Sequence, residues 1–190
     1  MRTSWQLELG RRWTEPHRRH HGIDHLREVL DALDVLASDG LVFDRSLAGD
    51  AAWFHDAIYD VRRDDNEERS ASLARRLIGG DRGDRVADLV LVTKAHVLPP
   101  DDAEAVALSD ADLAILGASP ERYHEYAEDI RAEYAHVPLE TFEERRARIL
   151  EDLLDHPSLY ASAQGRDRWE AAARENLGAE VVSLRASSGV

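Results

Sequence analysis

Apolar residues recur along most of the chain at the three- and four-residue spacing of amphipathic helices. Three such stripes stand out: Leu26, Val29, Leu30, Leu33 and Leu36; Leu47, Ala51, Phe54 and Ile58; and Leu73, Leu77 and Ile78. The first is closed by Asp39-Gly40 and the third by Gly79-Gly80, and both pairs are typical of a helix end. The second stripe predicts that residues 51–60 form a buried helix.

One apolar run, residues 84–97, is ambiguous between helix and strand. Its centre, Leu89-Val90-Leu91-Val92, has the composition of a buried strand. Helix is favoured because the chain offers no second strand with which this run could pair. Residues typical of helix N-termini support a helical interpretation elsewhere. They are Asp44, Ser119-Pro120 and the pair Asp64 and Glu67, which resembles a capping box.

The chain contains no internal repeat, low-complexity segment or linker. Pro99-Pro100 interrupts the helical pattern, and the last five residues, 186–190, have a composition that is typical of a frayed end. We therefore predict an all-α fold, a single compact multi-helix bundle in which residues 1–190 form one domain. The 43% share of hydrophobic residues is sufficient for a well-packed core at this length.

The net charge of the chain limits the classes of binding partner that we expect. The 38 acidic and 24 basic residues give a net charge of −14, which argues against nucleic acid or an anionic membrane as a partner. A small anionic substrate stays open, because a local cationic site can override the global field. The chain shows neither an apolar signal segment nor an apolar run of membrane-spanning length, so we expect a cytoplasmic protein. The sequence does not indicate the oligomeric state.

His55 and Asp56 stand side by side in the predicted buried helix. Two such side chains are costly to bury unless they share a partner, and a divalent cation fits best. His25 and Asp112 lie in similar helical and apolar surroundings. Taken singly, His25 could be a histidine on a helix surface, and Asp112 an acid at a helix N-terminus. Because the chain has no cysteine, histidine and carboxylate must hold any metal here.

The order His25, His55-Asp56, Asp112 resembles the H…HD…D signature of the HD-domain superfamily of metal-dependent phosphohydrolases. Further motifs resemble one subgroup of that superfamily, the predicted HD phosphohydrolases, which has no assigned substrate. Together they span most of residues 5–180. The motifs are Glu15-Pro16-His17-Arg18 followed by His21 and His25, the run Trp53–Asp60, Asp65–Ser70, Thr93–His96 and Asp110–Gly117.

This resemblance implies an HD-domain helical bundle in which His25, His55, Asp56 and Asp112 bind a divalent metal ion. Two imidazoles and two carboxylates suit Mn²⁺, Fe²⁺, Co²⁺, Ni²⁺, Zn²⁺ or Mg²⁺. The resemblance also implies a hydrolase in which a metal-bound water cleaves a phosphate ester or anhydride. The expected substrate is a small phosphorylated metabolite, with a nucleotide favoured.

Three residues near the implied ligands are candidate catalytic groups. Lys94, the only lysine beside 23 arginines, lies in an otherwise apolar segment. Its compact ammonium suits a phosphate oxygen, although compositional bias is the alternative explanation. His96 is a candidate phosphate contact, proton donor or ligand of a second metal, or else a hydrogen-bonded core histidine. Asp60 could orient or deprotonate the attacking water, or orient the metal ligands from outside.

Arg18 and His21 are candidate substrate contacts close to the first ligand. Arg18 could clamp a phosphate, and the alternative is a salt bridge to Glu15. His21 precedes His25 by about one helical turn, so it could meet the substrate or the metal. Asp110 either supports the metal site or caps a helix.

Two other functions stay open. HD-like scaffolds with extra histidines can hold two irons, so the chain could be a di-iron oxygenase with His96 and Asp60 or His21 as added ligands. It could also be a non-catalytic, ligand-binding helical protein that is stabilised by a metal. The sequence contains neither the Gly-x-x-x-x-Gly-Lys phosphate loop nor the Gly-x-Ser-x-Gly nucleophile elbow.

Overall fold

Helices dominate residues 4–99 and 101–187, the part of the chain that the computed structural model describes. The first six are α1 (Ser4–Arg12), α2 (Ile23–Ser38), α3 (Arg45–Phe54), α4 (Asn66–Ile78), α5 (Gly80–Val92) and α6 (Ala103–Asp112). They are followed by a 3-10 helix (Leu113–Gly117), α7 (Pro120–Glu133), α8 (Leu139–Asp155), α9 (Ala163–Gly165), a π-helical turn (Arg166–Glu170) and α10 (Ala171–Ser187). No β-strand occurs in these described residues, so the predicted all-α multi-helix fold is confirmed.

Internal contacts gather the helices into two compact units, residues 1–112 and 113–190. The assignment of residues 1–190 to one domain therefore stays a prediction. Among the described residues, no helix is both long enough and apolar enough to cross a membrane. Pro100 of the predicted break, and residues 188–190 of the predicted frayed end, lie outside the described residues.

The core of the first unit follows the predicted apolar stripes. Helix α3 packs against α2, α5 and α6. Three of its buried residues are alanines, which allow neighbouring helices to approach closely. The buried side chains of α2 and α3 are Leu26, Val29, Ala32, Leu33 and Leu36, and Ala48, Ala51, Ala52 and Phe54. His25 is adjacent to Leu26 on α2 and is buried with it.

The ambiguous run at residues 84–97 begins as helix, as favoured from the sequence, because α5 extends to Val92. It is joined to α4 by Gly79 and Gly80, whose φ angles are +74° and +59°. Glycine adopts this left-handed region without steric cost, so the pair allows an abrupt change of direction between the two helices.

The predicted helix over residues 51–60 is wrong beyond Phe54, where α3 ends. The His55 amide still donates to the Ala51 carbonyl, as in a helix. From Asp56 onward, however, side chains bind the backbone carbonyls, beginning with Arg18 at the Asp56 carbonyl, 2.7 Å away. These tertiary hydrogen bonds replace the helical ones, so apolar spacing alone overestimates the length of the helix.

Two of the three predicted helix caps are confirmed. The Asp44 carboxylate accepts from the Leu47 amide at 3.0 Å, and the Ser119 hydroxyl accepts from the amide of Arg122. The capping box of Asp64 and Glu67 is wrong, because α4 begins after Asp65 and no side chain caps it. The carboxylate of Asp65 instead pairs with the Arg63 guanidinium through two contacts of 2.6 Å.

The second unit has a core of its own, in which Leu150, Tyr160 and Leu177 are fully buried. Its main polar cluster joins α8 to α10, since Arg146 Nε donates to Glu180 Oε1 at 2.9 Å. Tyr123 also donates to Glu180, at 2.5 Å. These groups satisfy one another inside the unit, so we assign them a structural role.

Candidate metal centre

Three helices of the first unit bring together the four predicted metal ligands. His25 is the third residue of α2, and Asp112 is the last residue of α6. His55 and Asp56 directly follow the end of α3. Because α3 ends there, the Asp56 side chain is not confined to the helical register and points back to the same place as His55.

The donor atoms of these four side chains converge. His25 Nε2 lies 3.1 Å from His55 Nε2 and 3.1 Å from Asp112 Oδ1. His55 Nε2 lies 3.3 Å from Asp56 Oδ2 and 3.5 Å from Asp112 Oδ1. The longest of these separations, between His25 Nε2 and Asp56 Oδ2, is 3.9 Å.

These separations fit a shared cation. Ligand atoms bonded at about 2.1 Å to one ion stand about 3 to 3.5 Å apart, which is close to the observed spacing. The imidazoles are buried, while the carboxylates of Asp56 and Asp112 keep 13% and 14% of their surface exposed. His25, His55 and Asp56 therefore could hold a metal ion, with Asp112 beside them, and solvent reaches the cluster on its carboxylate side.

The two imidazoles differ in how their second nitrogen is held. His55 Nδ1 lies 2.8 Å from the Ala52 carbonyl oxygen, to which it donates. In the neutral ring this bond leaves the Nε2 lone pair directed at the cluster, as a metal ligand requires. His25 Nδ1 is buried and has no hydrogen-bond partner in the described part of the chain. His55 is thus the ligand whose tautomer the backbone sets.

Trp13 forms a buried wall of the site. Its ring centroid lies 5.4 Å from that of His55 and 6.4 Å from that of His25. Its indole nitrogen donates to the Trp53 carbonyl at 3.0 Å, which fixes the ring. An apolar wall excludes water from one side of the imidazoles and strengthens their interaction with charge.

The four side chains also interact strongly without a metal. Burial lowers the pKa of His55, but the charges of Asp56 and Asp112 outweigh burial and raise that pKa well above its ordinary value. Burial raises the pKa of Asp56, but the His55 imidazolium lowers it more, to about 2. The pKa of Asp112 is likewise held well below its ordinary value, because His55 and His25 outweigh burial. When no metal is bound, the positive charge of protonated His55 thus stabilises the two carboxylates, as a metal ion would.

The directions of these pKa shifts predict how the stability of the metal-free protein depends on pH. The raised pKa of His55 stabilises the fold below its ordinary value of 6.5, and that contribution is lost as the pH rises through the folded-state pKa. The lowered pKa of Asp56 stabilises the fold above 3.8 and is lost as the pH falls toward about 2. We expect the free energy of unfolding in urea, measured with chelator, to be highest between about pH 4 and 6.5. His55→Gln should remove the loss on the alkaline side, and an unchanged loss in that variant would contradict this assignment.

His96 lies at the edge of the cluster in a strained conformation. Its φ of +50° is in the left-handed region, which costs a residue other than glycine about 1 kcal/mol or more. Its Nδ1 lies 2.9 Å from the hydroxyl of the buried Ser109, and its Nε2 lies 3.8 Å from Asp112 Oδ2. The sequence patterns did not point to Ser109 as part of the site. Its position three residues before Asp112 nevertheless places both residues on one face of α6.

Lys94 and Asp60 are bound elsewhere. Lys94 Nζ donates to the Glu68 carboxylate at 2.5 Å and to the Asp64 carbonyl at 2.6 Å, on an exposed surface. Asp60 is exposed, and its carboxylate accepts from the Arg62 amide at 3.0 Å. Because α3 ends before it, Asp60 is not one helical turn from Asp56. To take part in catalysis, Lys94 and Asp60 would have to give up these bonds. Their catalytic roles therefore stay predictions.

His21 and Arg18 lie beside the cluster, but in different ways. The His21 ring stacks on Tyr59 with centroids 4.1 Å apart, and it lies 5.9 Å from the His25 ring. Arg18 is buried, and its Nε lies 3.2 Å from Glu15, the salt bridge considered as the alternative to a phosphate clamp. Asp110 is fully buried and is the third-last residue of α6, so its position excludes it as the N-terminal cap of that helix.

Comparisons with models of known protein families, with curated proteins and with solved structures find no match to this chain. The resemblance to the HD-domain superfamily therefore stays a prediction. Function has to be inferred from the residues of the site themselves.

Proposed function

We propose that this protein is a metal-dependent phosphohydrolase that cleaves a phosphate ester or anhydride of a small metabolite, with a nucleotide favoured. The observation that carries the proposal is the convergence of His25, His55, Asp56 and Asp112 on one point, with the two carboxylates open to solvent. Two buried imidazoles beside two largely buried carboxylates are costly to maintain unless a proton or a cation balances the carboxylates.

The donor set fits a divalent ion with nitrogen and oxygen ligands, among them Mn²⁺, Fe²⁺, Co²⁺, Ni²⁺, Zn²⁺ and Mg²⁺. When bound, such an ion polarises a phosphoryl oxygen and lowers the pKa of water. The two carboxylates balance its charge, so phosphate recognition needs further cationic or hydrogen-bonding groups from the protein.

His96 is the best placed of these groups. Its Nδ1 is held by Ser109, so its Nε2 is directed toward Asp112 at the edge of the cluster. The side chain is 27% exposed, so a ligand can reach part of the ring. From this position it can donate a hydrogen bond to phosphate, or a proton to the leaving oxygen.

A di-iron oxygenase is the second candidate function. It is favoured by the short distance from His96 Nε2 to Asp112 Oδ2, 3.8 Å, because a carboxylate can bridge two ions and His96 could bind the second. The two candidates differ in metal stoichiometry. One ion per chain supports the phosphohydrolase, and two irons per chain support the oxygenase.

The proposal is tested by screening the metal-loaded protein against a panel of phosphorylated metabolites, with release of phosphate as the readout. We expect at least one substrate whose hydrolysis stops with chelator and returns with added metal. A parallel sample of the Asp56→Ala variant controls for contaminating phosphatases. Release that is equal in both samples, or no release from any compound, would contradict the proposed activity.

A further inference from the structure

The turn that carries Asp56 is held by side chains of other segments in addition to a few hydrogen bonds of its own backbone. Each carbonyl from Asp56 to Asp60 accepts a hydrogen bond from a side chain of another segment. The donors are Arg18 for Asp56 and Ala57, Ser70 for Ile58, His17 for Tyr59 and Asn66 for Asp60. Five successive carbonyls bound in this way define one conformation for a segment that has no regular structure.

Arg18 binds the end of this segment that carries the metal ligand. Its Nη1 donates to the Asp56 carbonyl at 2.7 Å and to the His21 carbonyl at 2.9 Å. Its Nη2 donates to the Ala57 carbonyl at 3.3 Å, and its Nε donates to Glu15 at 3.2 Å. All three guanidinium nitrogens are thus used inside the protein.

Two aromatic rings fix the guanidinium further. Arg18 Cζ lies 5.5 Å from the Trp13 ring centroid and 5.6 Å from that of Tyr59. Both distances are within the range of a cation–π interaction. The Arg18 side chain is only 1% exposed, so little of its surface is left for a phosphate from solvent.

We propose that Arg18 is a positioning residue that fixes Asp56 for metal binding, rather than a clamp for substrate. This inference rests on the metal site of the proposed function. Asp56 lies beyond the end of α3, so helical hydrogen bonds do not hold its carbonyl, and the bond from Arg18 takes their place. A metal ligand must be held to within about 0.5 Å, and loss of a supporting group typically lowers metal affinity by about 10- to 100-fold.

The test is titration of the protein with Co²⁺, in which the visible absorption of the bound ion is followed. Arg18→Lys keeps the positive charge but cannot place donors at Asp56, Ala57 and Glu15 together. We expect it to bind Co²⁺ about 10- to 100-fold more weakly than wild type, with an altered absorption spectrum. Arg62→Lys is the matched control, because Arg62 is exposed on the same loop, and it should match wild type.

If the Arg18→Lys variant does not fold, the Glu15→Ala variant is tested in its place. The partly exposed carboxylate of Glu15 orients the Arg18 guanidinium by accepting a hydrogen bond from its Nε. We expect a smaller but measurable loss of Co²⁺ affinity in that variant. Wild-type affinity and spectrum in the folded variant would overturn the role of Arg18. A wild-type protein that binds no Co²⁺ would refute the metal site and this inference with it. The Co²⁺ titration contains no substrate, so a failure to find hydrolytic activity would leave the result for Arg18 unchanged.

Discussion

Replacement of Asp56 by alanine is expected to reduce the affinity for a divalent ion by about 10²- to 10³-fold. Structural metal sites with four ligands bind with about 10–16 kcal/mol, so one ligand accounts for about 2.5–4 kcal/mol. The Asp56 carboxylate is 3.3 Å from His55 Nε2 and reaches solvent, whereas the carboxylate of Asp60, in the same turn, is exposed and accepts from the Arg62 amide. Equilibrium dialysis with elemental analysis measures the change.

A second readout of the same variant is metal-dependent stability. An ion present at 100 times its dissociation constant stabilises the wild-type protein by about 2.7 kcal/mol, and Asp56→Ala should lose this gain at the same concentration. Asp64→Ala is the matched control, because Asp64 is exposed on the same loop and the Lys94 contact is to its backbone. Equal metal-dependent stabilisation in both variants would mean that the metal binds elsewhere.

Replacement of His96 by glutamine is expected to reduce kcat for the identified substrate by about 10²- to 10⁴-fold, which is the usual contribution of a general acid or base. Metal content should stay unchanged if a single ion is bound, because His96 is not one of the four proposed ligands. Ser109→Ala should have a smaller effect, because His96 is kept while the hydrogen bond that orients its ring is lost.

His124→Gln serves as the control for the His96 variant, because His124 is exposed and pairs with Glu128 four residues on. It should keep the kcat of wild type. A His96 variant with unchanged kcat would remove His96 from the catalytic groups. A fall from two bound ions to one would instead assign His96 to a second metal and favour the oxygenase.

The helices were predictable from the sequence because they follow from short-range patterns, and the four candidate ligands because their order resembles the HD-domain signature. The stripe around Leu26 and Val29 places α2, and His25 next to it is buried as expected. His55 and Asp56 are adjacent in sequence, and Asp112 stands at the end of an apolar segment. Their convergence was an expectation from the resemblance of this order to the HD-domain signature, since helical spacing alone does not bring positions 25, 55 and 112 together.

The surroundings of the ligands were not predictable in the same way, because they depend on partners distant in sequence. Arg18 binds carbonyls about 40 positions away, and Lys94, just beyond the end of α5, pairs with Glu68 of α4. Neither partner has a signature in local spacing. The end of α3 at Phe54 was not predictable for the same reason, because the hydrogen bonds that replace the helical ones come from other segments.

The central claim is that His25, His55, Asp56 and Asp112 bind one divalent ion. The most direct test is a crystal of the protein grown with Co²⁺ and measured at the cobalt absorption edge. We predict one anomalous peak per chain, within about 2.3 Å of Nε2 of both histidines and of a carboxylate oxygen of both aspartates. An anomalous peak elsewhere in the molecule, or none at these four side chains, would contradict the account.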